Sequence, residues 1–256
     1  MPTSPTTQGV DVDEALLPAM AWRSLHLICR RALARHVDLT VEGLEHVPRA
    51  GPVLIAARHY HHLYDGCAIG TTLPRHIHVL VAMDWLQRPA ARGIMARACR
   101  AARFPVVIRP GAAGRRPDLR DNPTARAAFD AEASRALRRA ATETVALLRA
   151  GHVVLVFPEG YPNVDPGYTP KTGEEFLPFE PGFARLVALA QRDGGPRVPI
   201  VPAGLSYTRG PRWTLTLRYG PPLFLNQTTN RFAFVREVEA RVKILSAPSN
   251  ATRPPS

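Results

Sequence analysis

The residue types best suited to chemistry lie close together early in the chain: His59, His61, His62 and Asp65 fall within seven residues. A histidine paired with an aspartate can act as a general base, because the carboxylate fixes the imidazole tautomer and stabilises the cation that forms. One histidine after a strand is more often structural. Three histidines with an aspartate in so short a stretch favour a catalytic role.

A sheet is needed to position these side chains. The run Val53–Ala57, which precedes the histidines, is wholly apolar and follows a Gly-Pro pair, as is typical of a strand buried on both faces. Three further predicted strands end in Arg109, in Glu159-Gly160 and in residues 202–204. Open α/β sheets usually place their ligands at the carboxyl ends of strands. The sequence therefore predicts one site for a substrate that carries a hydroxyl and an anionic group.

The alternation of strand-like and helix-like segments predicts an α/β fold: a single domain with a mostly parallel central sheet flanked by helices. The predicted strands cover residues 38–41, 53–57, 77–82, 104–108, 153–157, 198–201 and 213–219, the last at the sheet edge. The predicted helices cover residues 14–36, 63–73, 85–103, 124–150, 183–191 and 231–245. Around the main domain, residues 41–245, we expect a disordered N-terminus (1–13), an amphipathic helical segment (14–40) and a disordered tail (246–256).

Composition restricts the kinds of partner. The 256 residues carry a net charge of +12, almost wholly from arginine, since Lys171 and Lys243 are the two lysines. A basic surface favours anionic partners such as phosphates, acidic proteins or an anionic bilayer. The three cysteines form no Cys-x-x-Cys pair, so neither a disulfide framework nor a thiolate zinc site is indicated. This cysteine usage fits a reducing cytoplasm.

The sequence predicts no membrane-spanning helix and no secretory signal. No run of eighteen apolar residues occurs, and the early apolar segment 16–33 is interrupted by arginine and histidine. We therefore expect the protein to stay inside the cell. The predicted helix at 14–36 has an apolar stripe, a tryptophan and flanking arginines. Such a helix could lie in a bilayer interface or pack on the domain as an ordinary amphipathic helix.

Several short motifs occur in order along the chain: an apolar strand ending in Arg109, an intact Phe157-Pro158-Glu159-Gly160, a Pro-Phe-x-x-Gly-like stretch at 177–182, and Ile200-Val201-Pro202. With these motifs the chain resembles the 1-acylglycerol-3-phosphate acyltransferase (lysophosphatidic acid acyltransferase) family of glycerolipid acyltransferases. That family also has a histidine, four residues, and then an aspartate. The resemblance covers about residues 41–223, and identifies the main domain as an acyltransferase domain.

Two departures from the family pattern concern the site. Counting back from Asp65, the family spacing falls on Tyr60 rather than on a histidine. Either His59 is the base and the turn holds one extra residue, or His61, four residues before Asp65, has taken the role; we favour His59, and His62 remains a third candidate. The Thr-Arg-Ser that follows Phe-Pro-Glu-Gly in the family is also absent, and a longer loop to Lys171 replaces it.

The resemblance implies transfer of a fatty acyl group from acyl-CoA or acyl carrier protein to a lysophospholipid such as 1-acylglycerol 3-phosphate, in phospholipid biosynthesis. It implies that His59 is the base and Asp65 its partner, and that Arg109 binds the acceptor phosphate. Substrate-binding roles are expected for Lys171 and for the motif Phe157-Pro158-Glu159-Gly160. No cofactor other than the acyl donor is expected, and the enzyme would work peripherally on the inner face of the cell membrane.

Two other readings remain. A metal-dependent hydrolase could use His59, His61, His62 and Asp65 as ligands, since imidazole and carboxylate suit zinc or iron. The order His-x-His-x-Asp-His of the metallo-lactamase type is absent, however, and Phe-Pro-Glu-Gly would go unexplained. A non-catalytic basic lipid-binding protein is the second reading. Nucleic acid is disfavoured as a partner, because no recognition-helix motif or aromatic-lined basic strand occurs.

Overall fold

The computed structural model describes residues 12–84, 86, 89–109, 112–116, 119, 121–226 and 230–248. The helices are α1 Val12–His36, α2 Tyr64–Thr72, α3 Pro89–Ala101, α4 Pro123–Arg149, α5 Gly182–Ala190 and α6 Arg231–Leu245. The strands are β1 Val37–Glu42, β2 Val53–Ala57, β3 Ile77–Val79, β4 Val81–Ala82, β5 Val106–Val107, β6 Val153–Val156, β7 Pro199–Thr208, β8 Trp213–Tyr219 and β9 Leu223–Phe224. Most of the predicted N-terminal and C-terminal disorder lies outside the described residues. Ser246, predicted to begin the tail, is buried.

The central sheet has the strand order β1-β8-β7-β2-β6-β3, with β9 paired to β7. Strand β2 is parallel to both β6 and β7, and β1 is parallel to β8, whereas β7 and β8 are antiparallel. The predicted α/β class with a mostly parallel sheet is confirmed. The expected edge position of β8 is wrong, because β1 pairs along its outer side.

Strand β2 is apolar throughout because both of its faces are covered. Val53, Ile55 and Ala57 pack in the core on the side of α1 and α2. Leu54 and Ala56 pack in the core on the side of α4, α5 and α6. All five side chains are buried, and burial of an aliphatic side chain contributes roughly 1.5–3 kcal/mol to hydrophobic stabilisation. The end of β2 is therefore a rigid base for the residues that follow it.

The predicted strand at 77–82 is two strands that belong to different sheets. The N–H of Leu80 still donates to Leu155 of β6, but the N–H of Val81 donates to Pro105, which precedes β5. Strands β4 and β5 then form a separate two-stranded sheet. Arg109 therefore does not follow a strand of the central sheet, as we expected, because the chain leaves that sheet at Leu80.

Strand β7 is longer than predicted. The sequence places its end at Val201, but the strand continues through residues 202–204 to Thr208. Its first residues pair with β9 and its residues from Ala203 onward pair with β8. Pro202 falls between these two ladders, where a strand tolerates the loss of a backbone N–H. Residues 202–204 are therefore strand interior and not a strand end.

Candidate active site

His59 and Asp65 meet at the carboxyl end of β2. His59 lies two residues beyond the strand and Asp65 lies in the first turn of α2. The Nδ1 atom of His59 is 2.9 Å from Oδ2 of Asp65. Because a carboxylate only accepts, the proton is on Nδ1. Nε2 then carries the lone pair of a base, and it has no hydrogen-bond partner within the part of the chain that the structure describes.

The ring of His59 is held by its neighbours. It stacks on Phe157 with ring centroids 4.2 Å apart and an interplanar angle of 17°. The side chain is 16% exposed, so substrate can reach it. Phe157 comes directly after β6, the parallel neighbour of β2. The first residue of Phe157-Pro158-Glu159-Gly160 thus fixes the plane of the histidine ring.

Asp65 is fully buried and accepts four hydrogen bonds. Its Oδ2 atom accepts from the backbone N–H groups of Tyr60 at 2.6 Å and His61 at 2.9 Å, as well as from His59. Its Oδ1 atom accepts from the hydroxyl of Tyr207 at 2.6 Å. These four donors take the place of water around the buried carboxylate. It can therefore orient the imidazole and stabilise its cation.

The rings of His61 and His62 turn away from Asp65. His61 uses Nδ1 to accept from the backbone N–H groups of Leu63 at 3.2 Å and Tyr64 at 3.3 Å. It precedes α2, so helical spacing does not bring its side chain to Asp65. Burial lowers the pKa of His61 to about 4, and the ring stays neutral. The Nδ1–H group of His62 donates to the carbonyl of Val164, a residue of the longer loop.

The three histidines therefore do not converge on one point. Among the described residues, no group of three or more histidine, cysteine or acidic side chains is placed to hold a metal ion. His59 is the histidine whose ring contacts Asp65. Five residues separate the two, one more than the four of the family pattern.

Glu159 and Lys171 form a buried pair that holds the backbone of His59. Glu159 Oε1 accepts from the N–H of His59 at 2.7 Å, and Lys171 Nζ donates to the carbonyl of His59 at 2.8 Å. The two side chains meet at 2.5 Å, and both are 0% exposed. Burial lowers the pKa of Lys171, while the charge of Glu159 opposes that shift. Both residues therefore lie at the site and contact the backbone of His59, the candidate base.

The rest of the Phe-Pro-Glu-Gly motif shapes the same turn. Pro158 is buried, and its carbonyl accepts from the N–H of Glu180. Gly160 has a φ of 74°, a conformation that favours glycine, and its N–H donates to the carbonyl of Phe157. This turn directs the carbonyl of Gly160 towards Arg109.

Arg109 reaches this edge of the molecule although its strand belongs to the small sheet. Its Nη1 atom donates to the carbonyl of Gly160 at 2.6 Å, and its Nε and Nη2 atoms contact the carboxylate of Asp84 at 2.9–3.0 Å. The guanidinium lies 3.9 Å from the ring centre of Tyr161. Burial opposes ionisation of Asp84, but its bonds to Arg109 hold its pKa below the usual value.

Three residues of this arrangement were missed from the sequence: Asp84, Tyr161 and Tyr207. Asp84 follows an apolar segment, so it could have been found by looking for polar residues just after predicted strands, as was done for Arg109 and Glu159. Tyr207 was hidden because β7 was predicted to end six residues before it. Nothing in the local sequence marks Tyr161 as a neighbour of Arg109.

An apolar cavity of about 290 Å³ lies beside the histidine turn. His62, Leu63 and Gly66 line it on the side of the turn, and Ile77 and Phe104 are among the lining residues contributed by more distant segments. The cavity also contacts α1 and α3 through Trp22, Cys29, Met95 and Cys99. Its lining suits a hydrocarbon chain.

Comparison with known proteins identifies the family of the chain. Residues 38–206, more than half of the chain, match the family model described as Acyltransferase, and the chain belongs to that acyltransferase family. The fold is similar to that in the crystal structure of the 1-acyl-sn-glycerophosphate (LPA) acyltransferase PlsC from Thermotoga maritima, with a TM-score of 0.55 and 17% identity over 93% of this chain and 82% of that chain. At this identity the likeness shows a shared fold. The comparison with curated proteins gave no match. The family predicted from the motifs is confirmed.

Proposed function

We propose that this enzyme transfers a fatty acyl group from an acyl thioester, either acyl-CoA or acyl carrier protein, to the hydroxyl of a lysophospholipid such as 1-acylglycerol 3-phosphate. The observation that carries the proposal is the contact between His59 and Asp65 at 2.9 Å in a chain of the acyltransferase family. The reaction would be a step of phospholipid biosynthesis.

The proposed reaction uses His59 twice. Its Nε2 atom takes the proton of the acceptor hydroxyl while the oxygen attacks the thioester carbon, and Asp65 stabilises the imidazolium. The tetrahedral intermediate then collapses, the carbon–sulfur bond breaks, and the imidazolium gives its proton to the thiolate. An ester and a free thiol result, and the enzyme returns to its starting state without a cofactor.

The surroundings of His59 support a substrate with an apolar chain and a phosphate. The apolar cavity beside the histidine turn offers space for the fatty acyl chain. Arg109 would orient the acceptor phosphate, because its contacts with Asp84 and Gly160 leave one N–H on each terminal nitrogen without a partner among the described residues. The net charge of +12 favours the phosphates of an acyl-CoA or an acidic carrier protein.

Helix α1 supports work at a membrane surface. Met20, Leu27 and Ile28 are exposed on it, alongside exposed Arg23 and Arg30. None of the helices within the described residues is long and apolar enough to cross a bilayer. Apolar and basic side chains together suit the interface of an anionic membrane. We infer peripheral binding to the inner face of the cell membrane, where lipid acceptor and acyl donor meet.

The proposal is tested by incubating the purified protein with labelled acyl-CoA or acyl carrier protein and a panel of acceptors. The panel contains 1-acylglycerol 3-phosphate, glycerol 3-phosphate and lysolipids with other head groups, and the ester products are identified by mass spectrometry. We expect ester formation with 1-acylglycerol 3-phosphate. Esterification of none of these acceptors with either donor would exclude the proposed function.

A further inference from the structure

Tyr207 contacts the catalytic carboxylate from the second half of β7. Its hydroxyl lies 2.6 Å from Oδ1 of Asp65. The carboxylate has no proton to offer, so the phenol is the donor. Burial and the charge of Asp65 raise the pKa of Tyr207 well above its usual value, which keeps the hydroxyl protonated. The contact is therefore a hydrogen bond to a charged acceptor, which is stronger than one between neutral groups.

The two oxygens of Asp65 have different partners. Oδ2 accepts from Nδ1 of His59 and from two backbone N–H groups, whereas Oδ1 accepts from Tyr207. Because the side chain of Asp65 is 0% exposed, water cannot replace the phenol at Oδ1. Without the phenol, Oδ1 has no donor, and the carboxylate can rotate so that the donors to Oδ2 are divided between its two oxygens. Tyr207 thus keeps Oδ2 directed at His59.

The position of Tyr207 is itself fixed by packing. Its ring stacks on that of Tyr60 at 4.6 Å and 15°, and meets Trp213 edge-on at 5.7 Å. Its backbone pairs with Leu215 of β8 in the antiparallel ladder. Because the ring and the strand are both packed, the hydroxyl of Tyr207 has a fixed position. A residue that orients a catalytic group needs such a fixed position.

We propose that Tyr207 is a positioning residue for acyl transfer, which holds the carboxylate of Asp65 in the orientation that His59 requires. The proposal rests on the function proposed above. It also assigns an electrostatic role to the phenol: by sharing the charge of Asp65, Tyr207 limits how strongly the carboxylate holds the imidazolium. The return of the proton from His59 to the leaving thiolate is then easier.

Tyr219 supplies a matched control on the neighbouring strand. It is buried, and its hydroxyl shares a hydrogen bond of 2.9 Å with Thr72 in the last turn of α2. Both tyrosines therefore tie α2 to the sheet, Tyr207 at the beginning of the helix and Tyr219 at its end. Of these two tyrosines, Tyr207 contacts Asp65 and Tyr219 does not. A purely structural role predicts that the loss of either hydroxyl has similar consequences.

The experiment compares the wild type with Tyr207→Phe and Tyr219→Phe, measuring kcat, KM, the pH dependence of kcat/KM and stability in urea. We expect kcat of Tyr207→Phe to fall about tenfold with KM unchanged, as the loss of one hydrogen bond to a charged group would give. Because Asp65 then holds more charge, the acidic limb of the pH profile moves to higher pH. Tyr219→Phe loses stability but keeps the wild-type kcat and pH profile.

The results of this experiment separate the two proposals. Suppose first that the wild type transfers acyl groups, so that the proposed function stands. The role of Tyr207 is then disproved if Tyr207→Phe matches the wild type in kcat and pH profile, and also if Tyr207→Phe and Tyr219→Phe lose activity alike. If the wild type esterifies no acceptor, both proposals fail.

Should Tyr207→Phe not fold, 3-fluorotyrosine at position 207 keeps the ring and gives a stronger donor. The acidic limb must then move to lower pH, and an unmoved limb disproves the role.

Discussion

Replacing Lys171 by methionine should destabilise the fold and slow catalysis together. The ammonium lies 2.5 Å from Glu159 and 2.8 Å from the carbonyl of His59, and neither charged side chain is exposed. Methionine fills similar volume but leaves the carboxylate of Glu159 buried without its counter-ion. Removal of one partner from a buried ion pair costs about 3–5 kcal/mol. We expect this loss in the free energy of unfolding.

The effect on catalysis follows from the backbone of His59. Glu159 holds its N–H and Lys171 holds its carbonyl, so loss of the pair loosens the residue that carries the base. A displacement of about 1 Å in a catalytic group can cost on the order of 100-fold in rate. We therefore expect kcat to fall between about 10-fold and 100-fold, with little change in the KM of the acceptor.

Lys243→Met is the matched control, because Lys243 also lies 2.5 Å from a glutamate, Glu239, but on the surface of α6. A surface pair of this kind contributes about 0.3–0.5 kcal/mol. Urea unfolding followed by circular dichroism and steady-state kinetics are measured for both variants. A loss below about 1 kcal/mol in Lys171→Met would refute the buried-pair reasoning. A raised acceptor KM with unchanged kcat would instead show the substrate-binding role that the family resemblance implied.

Four further predictions concern the base, the arginine, pH and the membrane. His59→Ala should lower kcat by about two to four powers of ten while the fold is kept, since it removes the general base; acyl-transfer rates and circular dichroism measure this. Arg109→Ala should raise the KM of a phosphate-bearing acceptor more than that of a neutral lysolipid, as steady-state kinetics with both would show. The free energy of unfolding should fall as pH decreases from about 6.5 to about 4, as urea unfolding across this pH range would show. Burial lowers the pKa of His61, His76 and His78 to about 4, so these rings bind protons in the unfolded chain at a higher pH than in the fold. The double variant Leu27→Glu, Ile28→Glu should sediment less with anionic liposomes, because it replaces exposed apolar side chains of α1 by charges.

Each of these predictions has an outcome that contradicts it. Full activity in His59→Ala, with loss in His61→Ala, would transfer the role of base to His61. An equal change of KM for both acceptors would leave Arg109 as a structural partner of Asp84. A free energy of unfolding that stays constant from pH 6.5 to 4 would show that the three rings are hydrated or protonated in the fold. Ile244, on α6, is more exposed than Leu27 or Ile28, and an equal loss of sedimentation in Ile244→Glu would remove the special role of α1.

Local pattern was sufficient for most of the fold. The run Val53–Ala57 could be recognised as a doubly covered strand because every position is apolar. The end of the long helix α4 could be recognised because Gly151, two residues beyond it, is the residue type that favours the positive φ, 83°, found there. The errors occurred where a partner strand decides the structure. Whether the backbone at Leu80 stays with β6 or turns to Pro105, and whether β7 ends at Val201 or continues to Thr208, depends on hydrogen bonds to segments distant in sequence.

The sequence by itself determined the residue types of the site and the edge of the sheet where the first of them would lie. His59 and Asp65, with Phe157-Pro158-Glu159-Gly160, were identified from motif and strand end. Only the tertiary structure decided which ring faces Asp65, since a turn of seven residues permits several ring directions and the packing of α2 against the sheet selects one. It also placed Tyr207, 142 residues away in sequence, on the other oxygen of that carboxylate, because strand order and register act through space rather than along the chain.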